Sequence, residues 1–227
     1  MHRSRFLLLA LLALALWIGP IQDFAKSDQP VRTPNNQALD QDTKSKTDDK
    51  DSGAALDRRP DVVYWPTPQN VVDKMLELAE VKKGDVVYDL GCGDARILVT
   101  AAKKYAVKGF GYDIDPERIK DSNENVKKNH VEDLVTVKRA DIFEKKDDMY
   151  TLDLKDASVV TLYLLPDLNV KLMPQLEKLK PGTRIVSHDF DMKGAKPKQT
   201  VTLKAKNHMG IEGEHTVYLW VVPWEKE

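Results

Sequence analysis

The chain has 227 residues with 35 basic and 36 acidic side chains, so its formal net charge is −1. This balance excludes bulk electrostatic attraction to nucleic acid or to an anionic membrane as the main basis of its binding. The single cysteine, Cys92, excludes an intramolecular disulfide, and no set of cysteines and histidines has the spacing of zinc ligands, so the sequence predicts no metal site.

The first 25 residues carry a targeting pattern. Arg3 and Arg5 precede an unbroken apolar run over residues 6–19, which is shorter than the roughly 20 residues that a membrane-spanning helix prefers. That length favours a signal peptide, whereas Asp23 makes the next segment a poor cleavage site and favours an uncleaved signal anchor. We therefore expect residues 1–25 to be a signal peptide or signal anchor. The protein is then exported (periplasmic or secreted) or membrane-anchored through this segment.

Residues 26–60 are rich in Asp, Lys, Ser, Thr, Gln and Asn and contain almost no large apolar side chain. Such a segment cannot bury enough surface to offset the entropy that it would lose on ordering. We predict a disordered polar linker over residues 26–60 and one globular domain over residues 61–227.

Strand and helix patterns alternate from Asp61 onwards. Thr67 and Pro68 predict the start of a helix, with Thr67 as its N-cap and Pro68 as its first residue. Apolar runs predict strands at Val86–Leu90, Gly109–Tyr112, Val135–Val137, Ser158–Leu164 and Arg184–Ser187. Helical patterns separate most of them, at Arg96–Lys104, Pro116–Asn129 and Asp167–Leu179. The last two strand patterns, Val201–Ala205 and Thr216–Val222, leave no room for a crossover helix and predict an antiparallel hairpin.

This alternation predicts an α/β fold with a doubly wound, mostly parallel, seven-stranded Rossmann-like sheet and a C-terminal antiparallel hairpin. In open sheets of this kind, ligands bind at the carboxyl ends of the strands. The residues that follow each predicted strand are therefore the first candidates for a functional site.

A glycine-rich turn, Asp89-Leu-Gly-Cys-Gly93, ends the first of these strands. Gly91 and Gly93 allow a sharp turn and a close approach of the backbone to a ligand, and the helix that follows offers unpaired N–H groups. One candidate ligand is a dinucleotide, but its G-x-G-x-x-G fingerprint requires a glycine where this chain has Arg96. Asp89 disfavours a pyrophosphate and favours an ammonium group, such as that of S-adenosylmethionine.

Two further aspartates follow predicted strands. Asp113 ends the second strand, where it is placed to accept hydrogen bonds from both ribose hydroxyls of an adenosine. Asp141 follows the third strand and can accept from the adenine amino group while Ile142 or Ile114 packs on the ring. Asp115 is expected to cap the next helix instead. The predicted cofactor-binding residues are Asp89, Gly91, Gly93, Asp113, Asp141 and Ile142.

Three motifs resemble the class I, or seven-β-strand, methyltransferases: Asp89-Leu-Gly-Cys-Gly93, Gly111-Tyr-Asp113 and Ala140-Asp-Ile-Phe143. The resemblance covers residues 62–223. It implies S-adenosylmethionine as the cofactor and a reversed strand near the end of the sheet. One departure is Ala95, where the family often has a third glycine. Because alanine is small, we expect a tighter loop and a retained site.

A closer resemblance is carried by Tyr64-Trp-Pro-Thr-Pro68, residues 87–96, Val160-Thr-Leu-Tyr-Leu-Leu-Pro166 and Val186-Ser-His-Asp-Phe-Asp191. Together these are similar to the prokaryotic relatives of mitochondrial lysine N-methyltransferases that modify the ATP synthase c-subunit and the adenine nucleotide translocase. The resemblance implies a protein substrate methylated on lysine, membrane-associated proteins included. We expect no nucleic-acid partner, and membrane contact only through the N-terminal segment.

Methyl transfer to an amine depends on aligning a neutral nucleophile with the methyl–sulfonium bond, so positioning dominates over acid–base chemistry. The fourth strand end lacks the Asn/Asp-Pro-Pro-Tyr signature of many amino-methylating enzymes. Tyr163, which lies there, can orient a lysine or can be a core aromatic residue. His188, at the fifth strand end, can take a proton or can be a hydrogen-bonded loop residue. Tyr163 and His188 are the catalytic candidates, while His208 and His215 are expected to be structural.

Two other functions remain open at the level of sequence. A small-molecule or lipid methyltransferase would share the same cofactor site. A non-catalytic sensor or scaffold that binds S-adenosylmethionine would account for the atypical fourth strand end. The three acidic strand ends are common to all of these functions and do not distinguish them.

Overall fold

The computed structural model of the protein describes residues 58–227. The predicted targeting segment, residues 1–25, and nearly all of the predicted linker, residues 26–60, lie outside the described residues. The described residues belong to one compact unit. The described residues begin at Arg58, within the segment predicted to be linker.

The helices and strands alternate along most of this unit, as the sequence predicts. The helices are α1 (Gln69–Leu78), α2 (Arg96–Tyr105), α3 (Pro116–Lys128) and α4 (Pro166–Leu176). The strands are β1 (Val86–Leu90), β2 (Lys108–Asp113), β3 (Val135–Arg139), β4 (Lys145–Lys146), β5 (Met149–Tyr150), β6 (Val159–Leu162), β7 (Arg184–His188), β8 (Gln199–Lys206) and β9 (Glu212–Val221). None of the helices in this part of the chain combines the length and the apolar composition needed to cross a membrane.

Seven of the strands form one sheet in the order β3-β2-β1-β6-β7-β9-β8. The first five strands of this order run parallel to one another, whereas β9 is antiparallel to both β7 and β8. The expected doubly wound sheet with a C-terminal antiparallel hairpin is confirmed. The chain moves from β1 outwards to β3 and then returns to β6, so the strand order reverses beside β1. Open α/β sheets bind ligands at such a switch point.

The core lies on both faces of the sheet, because successive residues of a strand point to opposite faces. On one face, Val87 of β1 and Val159 of β6 pack in a cluster with α1, α2 and α3. On the other face, Leu90 of β1 and Leu162 of β6 pack in a cluster with α4. The two central strands are therefore buried on both sides, which holds their carboxyl ends rigidly in place.

The helix starts show where local sequence signals decided the structure. Asp115 caps α3 as predicted, and its carboxylate accepts a hydrogen bond from the Glu117 N–H at 2.9 Å. At α1 the prediction is wrong: Pro68 occupies the N-cap position, and the helix has no side-chain cap. The Thr67 hydroxyl lies 3.2 Å from Nδ1 of His188 instead. The sequence pattern assigned this hydroxyl group to the start of the helix, but in the structure it contacts a buried histidine from a distant strand.

Two features of the strands were not predicted. β4 and β5 form a separate pair of two residues each, which is too short to produce an apolar pattern. β9 begins at Glu212, ahead of the predicted Thr216, because its polar first half pairs with β8 down to Lys206. Pairing in a hairpin, and not apolar periodicity, extends this strand.

Candidate cofactor and acceptor site

A cleft lies at the carboxyl ends of the parallel strands. It is lined by the residues that follow β1, β2, β3 and β6, together with the segment 58–67 that precedes α1. The structure brings into this cleft all of the residues predicted to bind a cofactor, namely Asp89, Gly91, Gly93, Asp113, Asp141 and Ile142. Tyr163 also lines the cleft, whereas His188 does not.

The glycine turn after β1 is tightly enclosed. Gly91 has φ +80°, and a Cβ added there would lie 2.9 Å from Cδ2 of Leu164. Gly93 has φ +56°, and a Cβ there would collide with the ring of Tyr64. Ala95 also adopts a left-handed conformation, with φ 59°, at the start of α2. The turn therefore requires glycine at both predicted positions, for conformation and for space.

Asp89 is almost completely buried, with 3% of its surface exposed. Its pKa is raised to about 7, mainly by burial; the hydrogen bond from Thr161 lowers this pKa, and the nearby carboxylates of Asp113 and Asp94 raise it. That bond runs from Thr161 Oγ1 to Asp89 Oδ1 at 2.6 Å. A buried carboxyl group that is only partly ionised at neutral pH is stabilised when a cation pairs with it. Asp89 thus suits the ammonium group that the sequence analysis assigned to it.

Asp113 ties two loops together at the end of β2. Its Oδ2 accepts a hydrogen bond from the Gly93 N–H at 2.9 Å, and its Oδ1 accepts one from the Asp115 N–H at 3.0 Å. Burial raises its pKa despite these bonds. Each carboxylate oxygen has a second acceptor site, so the carboxylate retains capacity for ligand hydroxyls. Asp113 therefore both shapes the glycine turn and presents acceptors to the cleft.

Asp141 already has protein partners. Its Oδ2 accepts a hydrogen bond from Arg58 Nη1 at 2.6 Å, and its Oδ1 accepts one from the Phe143 N–H at 2.9 Å. Arg58 also pairs with Asp61 at 2.5 Å. Ile142 is buried beside Asp141 and offers an apolar surface. An adenine amino group at Asp141 would therefore share the carboxylate with Arg58, which the sequence analysis did not anticipate.

The segment before α1 packs directly over the glycine turn. The Tyr64 ring lies against Gly93, and the guanidinium of Arg118 lies 4.6 Å from the centre of that ring. Arg96 joins this segment to the turn, since its Nη1 donates to the Thr67 carbonyl at 3.0 Å and its Nη2 pairs with Asp94 at 2.6 Å. Burial raises the pKa of Tyr64 to about 12, so its phenol is neutral. The motif from Tyr64 to Thr67 thus forms part of the cleft wall.

Tyr163 lies at the end of β6 with its ring at the cleft wall. Burial, and then the nearby charge of Asp189, raises its pKa to about 12. Its phenol therefore stays protonated at neutral pH and cannot act as a proton acceptor. It can orient an amine through its hydroxyl group or its ring face.

His188 lies behind Tyr163 and is completely buried, with a distance of 3.9 Å between the two ring centres. Burial lowers the pKa of His188, and the influence of Asp189 in the opposite direction does not reverse this. The ring contacts Thr67 through Nδ1 and His215 through Nε2. His188 is thus separated from the cleft by a side chain, so its direct role as a proton acceptor has no geometric support. The geometry does support a role for His188 in positioning Tyr163.

Asp189 and His215 complete a group that we call the His–Asp–His cluster (His188, Asp189 and His215). Nδ1 of His215 lies 3.0 Å from Oδ2 of Asp189, and β7–β9 pairing brings the two residues together. Burial alone would raise the pKa of Asp189, but the His188 ring and the Thr216 N–H outweigh it and lower this pKa. Sequence reasoning missed the cluster because His215 is 26 residues from Asp189.

Two cleft residues, Arg58 and Arg118, carry no motif in the sequence and act through contacts between elements that are far apart in the chain. By contrast, Asp94 and Arg96 are an acid and a base two residues apart in a turn, which signals a local pair. The contacts of Arg58 and Arg118 depend on the tertiary fold, which brings the segment before α1 beside Asp141 and α3.

The geometry fits S-adenosylmethionine in two respects. The glycine turn provides backbone that a Cβ would cover, and Asp89 provides a buried carboxyl group that gains from a cationic partner. Residues at the ends of β2 and β3, Asp113 and Asp141 among them, line the same cleft. The cofactor predicted from sequence therefore has a matching site.

Comparison of the sequence with known families gives a match to the ANTKMT methyltransferase domain over residues 89–199. A protein-lysine N-methyltransferase of Saccharolobus islandicus is 45% identical over 165 residues, which is 72% of this chain and 95% of that protein. The family match, over residues 89–199, includes the glycine turn and each of the acidic strand ends.

Solved structures agree with these sequence relatives. The structure of an RNA methyltransferase from Salinibacter ruber in complex with S-adenosyl-L-homocysteine is similar, with 46% sequence identity and a TM-score of 0.61. The match covers 70% of this chain and 95% of that one. A precorrin-6y C5,15-methyltransferase from Geobacter metallireducens shares the fold, with a TM-score of 0.54 at 17% identity over 70% of this chain and 92% of that one.

Proposed function

We propose that this chain methylates lysine side chains of protein substrates. It belongs to the S-adenosylmethionine-dependent methyltransferase family that carries the ANTKMT methyltransferase domain. It is an S-adenosylmethionine-dependent methyltransferase. The lysine acceptor is supported by the Saccharolobus relative, whose name specifies that reaction. The distribution of charge in the cleft supports the same acceptor independently.

The observation that carries the proposal is the acidity of the cleft. Among the described residues, six aspartates and three arginines line it, and no lysine or glutamate does. Each arginine is paired with an aspartate: Arg58 with Asp141, Arg96 with Asp94, and Arg118 with Asp121. Because aspartates outnumber arginines among the described cleft residues, a cationic side chain approaches a favourable potential there and a phosphate does not. This distribution favours a lysine over a phosphate-bearing acceptor such as RNA.

S-adenosylmethionine, when bound, supplies a methyl group on a positively charged sulfur. The residues of this chain bind and orient it: Asp89 pairs with the ammonium, Asp113 accepts from the ribose hydroxyls, and Ile142 packs against the adenine. The glycine turn lets the backbone approach the ligand. These roles are positional, as expected for a reaction in which alignment supplies most of the rate enhancement.

Tyr163 is the residue that we assign to the acceptor lysine. It lines the same cleft as Gly91 and Gly93 of the cofactor turn. Because its phenol stays protonated, it orients the amine and does not deprotonate it. His188 holds the Tyr163 ring from behind and is a positioning residue.

A transfer assay with tritiated-methyl S-adenosylmethionine tests the proposal. The full chain is incubated with membrane and soluble fractions, and the label is separated into protein, lipid, RNA and small-molecule pools. We expect label in protein, located on lysine by mass spectrometry. Tyr163→Phe removes only the hydroxyl group and Tyr163→Ala removes the ring as well, so the pair tells which part orients the acceptor.

Label in a pool other than protein contradicts the proposal, and each pool supports a different alternative. Label in lipid or metabolite supports a small-molecule or lipid methyltransferase, and ribonuclease-sensitive label supports an RNA acceptor like that named for the Salinibacter relative. Cofactor binding without label in any pool supports a sensor or scaffold. Gly93→Ala serves as a cofactor-site control, because its Cβ would collide with Tyr64.

We also propose that residues 1–25 export the domain or anchor it at a membrane, and that its substrates include membrane-associated proteins. Arg3 and Arg5 before the apolar run favour an N-terminus inside the cell and the domain outside. The cofactor is made in the cytoplasm, so this orientation conflicts with the supply of S-adenosylmethionine. Protease treatment of intact cells decides the side: cleavage of the domain places it outside, and cleavage only after lysis contradicts export.

A further inference from the structure

The His–Asp–His cluster has more close contacts than hydrogen bonds can account for. Its three facing atoms are separated by 2.9 Å (His188 Nε2 to His215 Nδ1), 3.0 Å (His215 Nδ1 to Asp189 Oδ2) and 3.2 Å (His188 Nε2 to Asp189 Oδ2). Every pair of these atoms lies within hydrogen-bonding distance, so they form a closed triangle.

With Asp189 ionised, no arrangement of protons satisfies this triangle. The Asp189 carboxylate can only accept, so each ring nitrogen must carry a proton to bond with it. If both nitrogens are protonated, two donors face each other at 2.9 Å. If one is protonated, the lone pair of the other faces the carboxylate oxygen. A cation bound by all three atoms, to one side of the plane of the triangle, removes the conflict, because all three atoms then face it with lone pairs.

The outer contacts of the cluster hold the three atoms in this orientation. Thr67 Oγ1 lies 3.2 Å from Nδ1 of His188, so it can accept that proton and leave Nε2 as a lone pair. The Thr216 N–H donates to Oδ1 of Asp189 at 2.8 Å, which turns Oδ2 towards the histidines. Partners of this kind, which fix a histidine tautomer and orient a carboxylate, surround most metal sites in proteins.

We propose that His188, Asp189 and His215 bind a divalent transition-metal ion of the Zn²⁺ type. Bonds of about 2.05 Å to imidazole nitrogen and carboxylate oxygen place neighbouring ligands about 2.9 Å apart in an octahedron and about 3.3 Å apart in a tetrahedron. The observed distances, 2.9 to 3.2 Å, lie in this range. Two imidazoles and one carboxylate suit Zn²⁺ and its first-row neighbours better than Mg²⁺ or Ca²⁺.

The position of the cluster gives the ion both a route in and a consequence. The side chains of His215 and Asp189 are 12% and 26% exposed, so the site opens to solvent on their side while His188 forms its buried wall. A bound ion joins the end of β7 to β9. Through the His188 ring, which contacts Tyr163, it also holds the wall of the cleft where the acceptor is expected.

Metal binding to the untagged full chain tests this proposal. Equilibrium dialysis against Zn²⁺ or Co²⁺, followed by elemental analysis, is expected to give one ion per chain. The Co²⁺ form is expected to show the visible d–d absorption of a protein-bound ion. His215→Ala is expected to weaken the binding by about 100-fold or more, because it removes one of three ligands and opens the site. Asp189→Asn keeps the shape and removes the charge, so it is expected to weaken binding as well.

His208→Ala is the matched control, because His208 follows β8 in the same hairpin and contacts Trp65, away from the cluster. It is expected to bind metal like the unchanged protein. Circular dichroism and S-adenosylhomocysteine binding verify that each variant is folded, and His215→Gln replaces His215→Ala if the latter is not. Absence of stoichiometric binding in the unchanged chain, or undiminished binding in a folded His215 variant, overturns the proposal. Because the readout is metal content, its failure leaves the methyltransferase assignment intact.

Discussion

Asp89 shows how the surroundings of one residue set its chemistry. An aspartate at a strand end in water would be ionised at neutral pH, but burial raises the pKa of this one to about 7. Thr161 holds one oxygen, and the rest of the carboxyl group faces the cleft. Asp113 differs, because hydrogen bonds from two backbone N–H groups occupy it. An Asp113→Ala change would therefore disturb the turn as well as the ligand, and Asp89 is the cleaner residue to test.

Cofactor affinity is expected to rise as the pH increases from about 6 to about 8, because the ammonium of the ligand pairs with the ionised form of Asp89. In the absence of ligand, the stability contribution of Asp89 changes with pH in the opposite direction. The raised pKa means that the folded state binds the proton more tightly, so this contribution to stability is lost as the pH rises from about 4 through about 7. Titration calorimetry with S-adenosylhomocysteine across this range measures the first effect.

Asp89→Asn is the control for that titration, since the amide keeps the size of the side chain and cannot ionise. We expect its affinity at about pH 8 to be about tenfold weaker, with little of the pH dependence left. The same pH dependence in the variant would show that another group, such as Asp113, is responsible.

At the scale of elements, the strand starts are held by a pair that the sequence does not reveal. Arg184 at the start of β7 binds Asp85, which precedes β1, through Nη2 and Oδ2 at 2.5 Å. The same oxygen accepts from the Lys82 N–H at 2.9 Å. The side chains are 18% and 8% exposed, so little water is available to replace either partner. This pair spans β6 at the end of the sheet opposite the cleft.

Arg184→Met is expected to lower the free energy of unfolding by about 2 kcal/mol or more, because it leaves the Asp85 carboxylate buried without its cation. Cofactor affinity is expected to stay unchanged, since the pair is far from the cleft. Urea unfolding measures the free energy of unfolding, and titration calorimetry measures the cofactor affinity.

Lys196→Met is the matched comparison, because Lys196 pairs with Glu225 at 2.9 Å with both side chains more than half exposed. Its effect is expected to stay within about 0.5 kcal/mol. Equal losses of unfolding free energy in the two variants would contradict the argument that burial makes the Arg184–Asp85 pair more important than the Lys196–Glu225 pair. Recovery of stability in the double variant Arg184→Met with Asp85→Asn would support it.

At the scale of the whole molecule, the sheet determines which parts are rigid. β1 and β6 each pair with a strand on both sides and are buried on both faces. β8 pairs only with β9 and has mostly exposed or half-buried residues. The cleft is built on the carboxyl ends of the rigid strands, and the His–Asp–His cluster lies where the antiparallel part begins.

Hydrogen exchange is expected to follow this arrangement. The amides of β1 and β6 are expected to exchange only when the whole domain unfolds, and those of β8 to exchange faster through local opening. Mass-spectrometric exchange on the full chain measures both. Protection of β8 equal to that of β1 would show that the hairpin is an integral part of the cooperative core.

The sequence by itself determined the alternation of strands and helices, the sheet class, and the strand-end residues that line the cleft and that we propose bind the cofactor. Each of these depends on local periodicity, or on a turn where glycine is needed for backbone geometry. Only the tertiary structure decided that Thr67 binds His188 and does not cap α1, that Arg58 shares Asp141, and that His215 joins His188 and Asp189. These partners are distant in the chain, and no local pattern records them because sheet order and strand register bring them together.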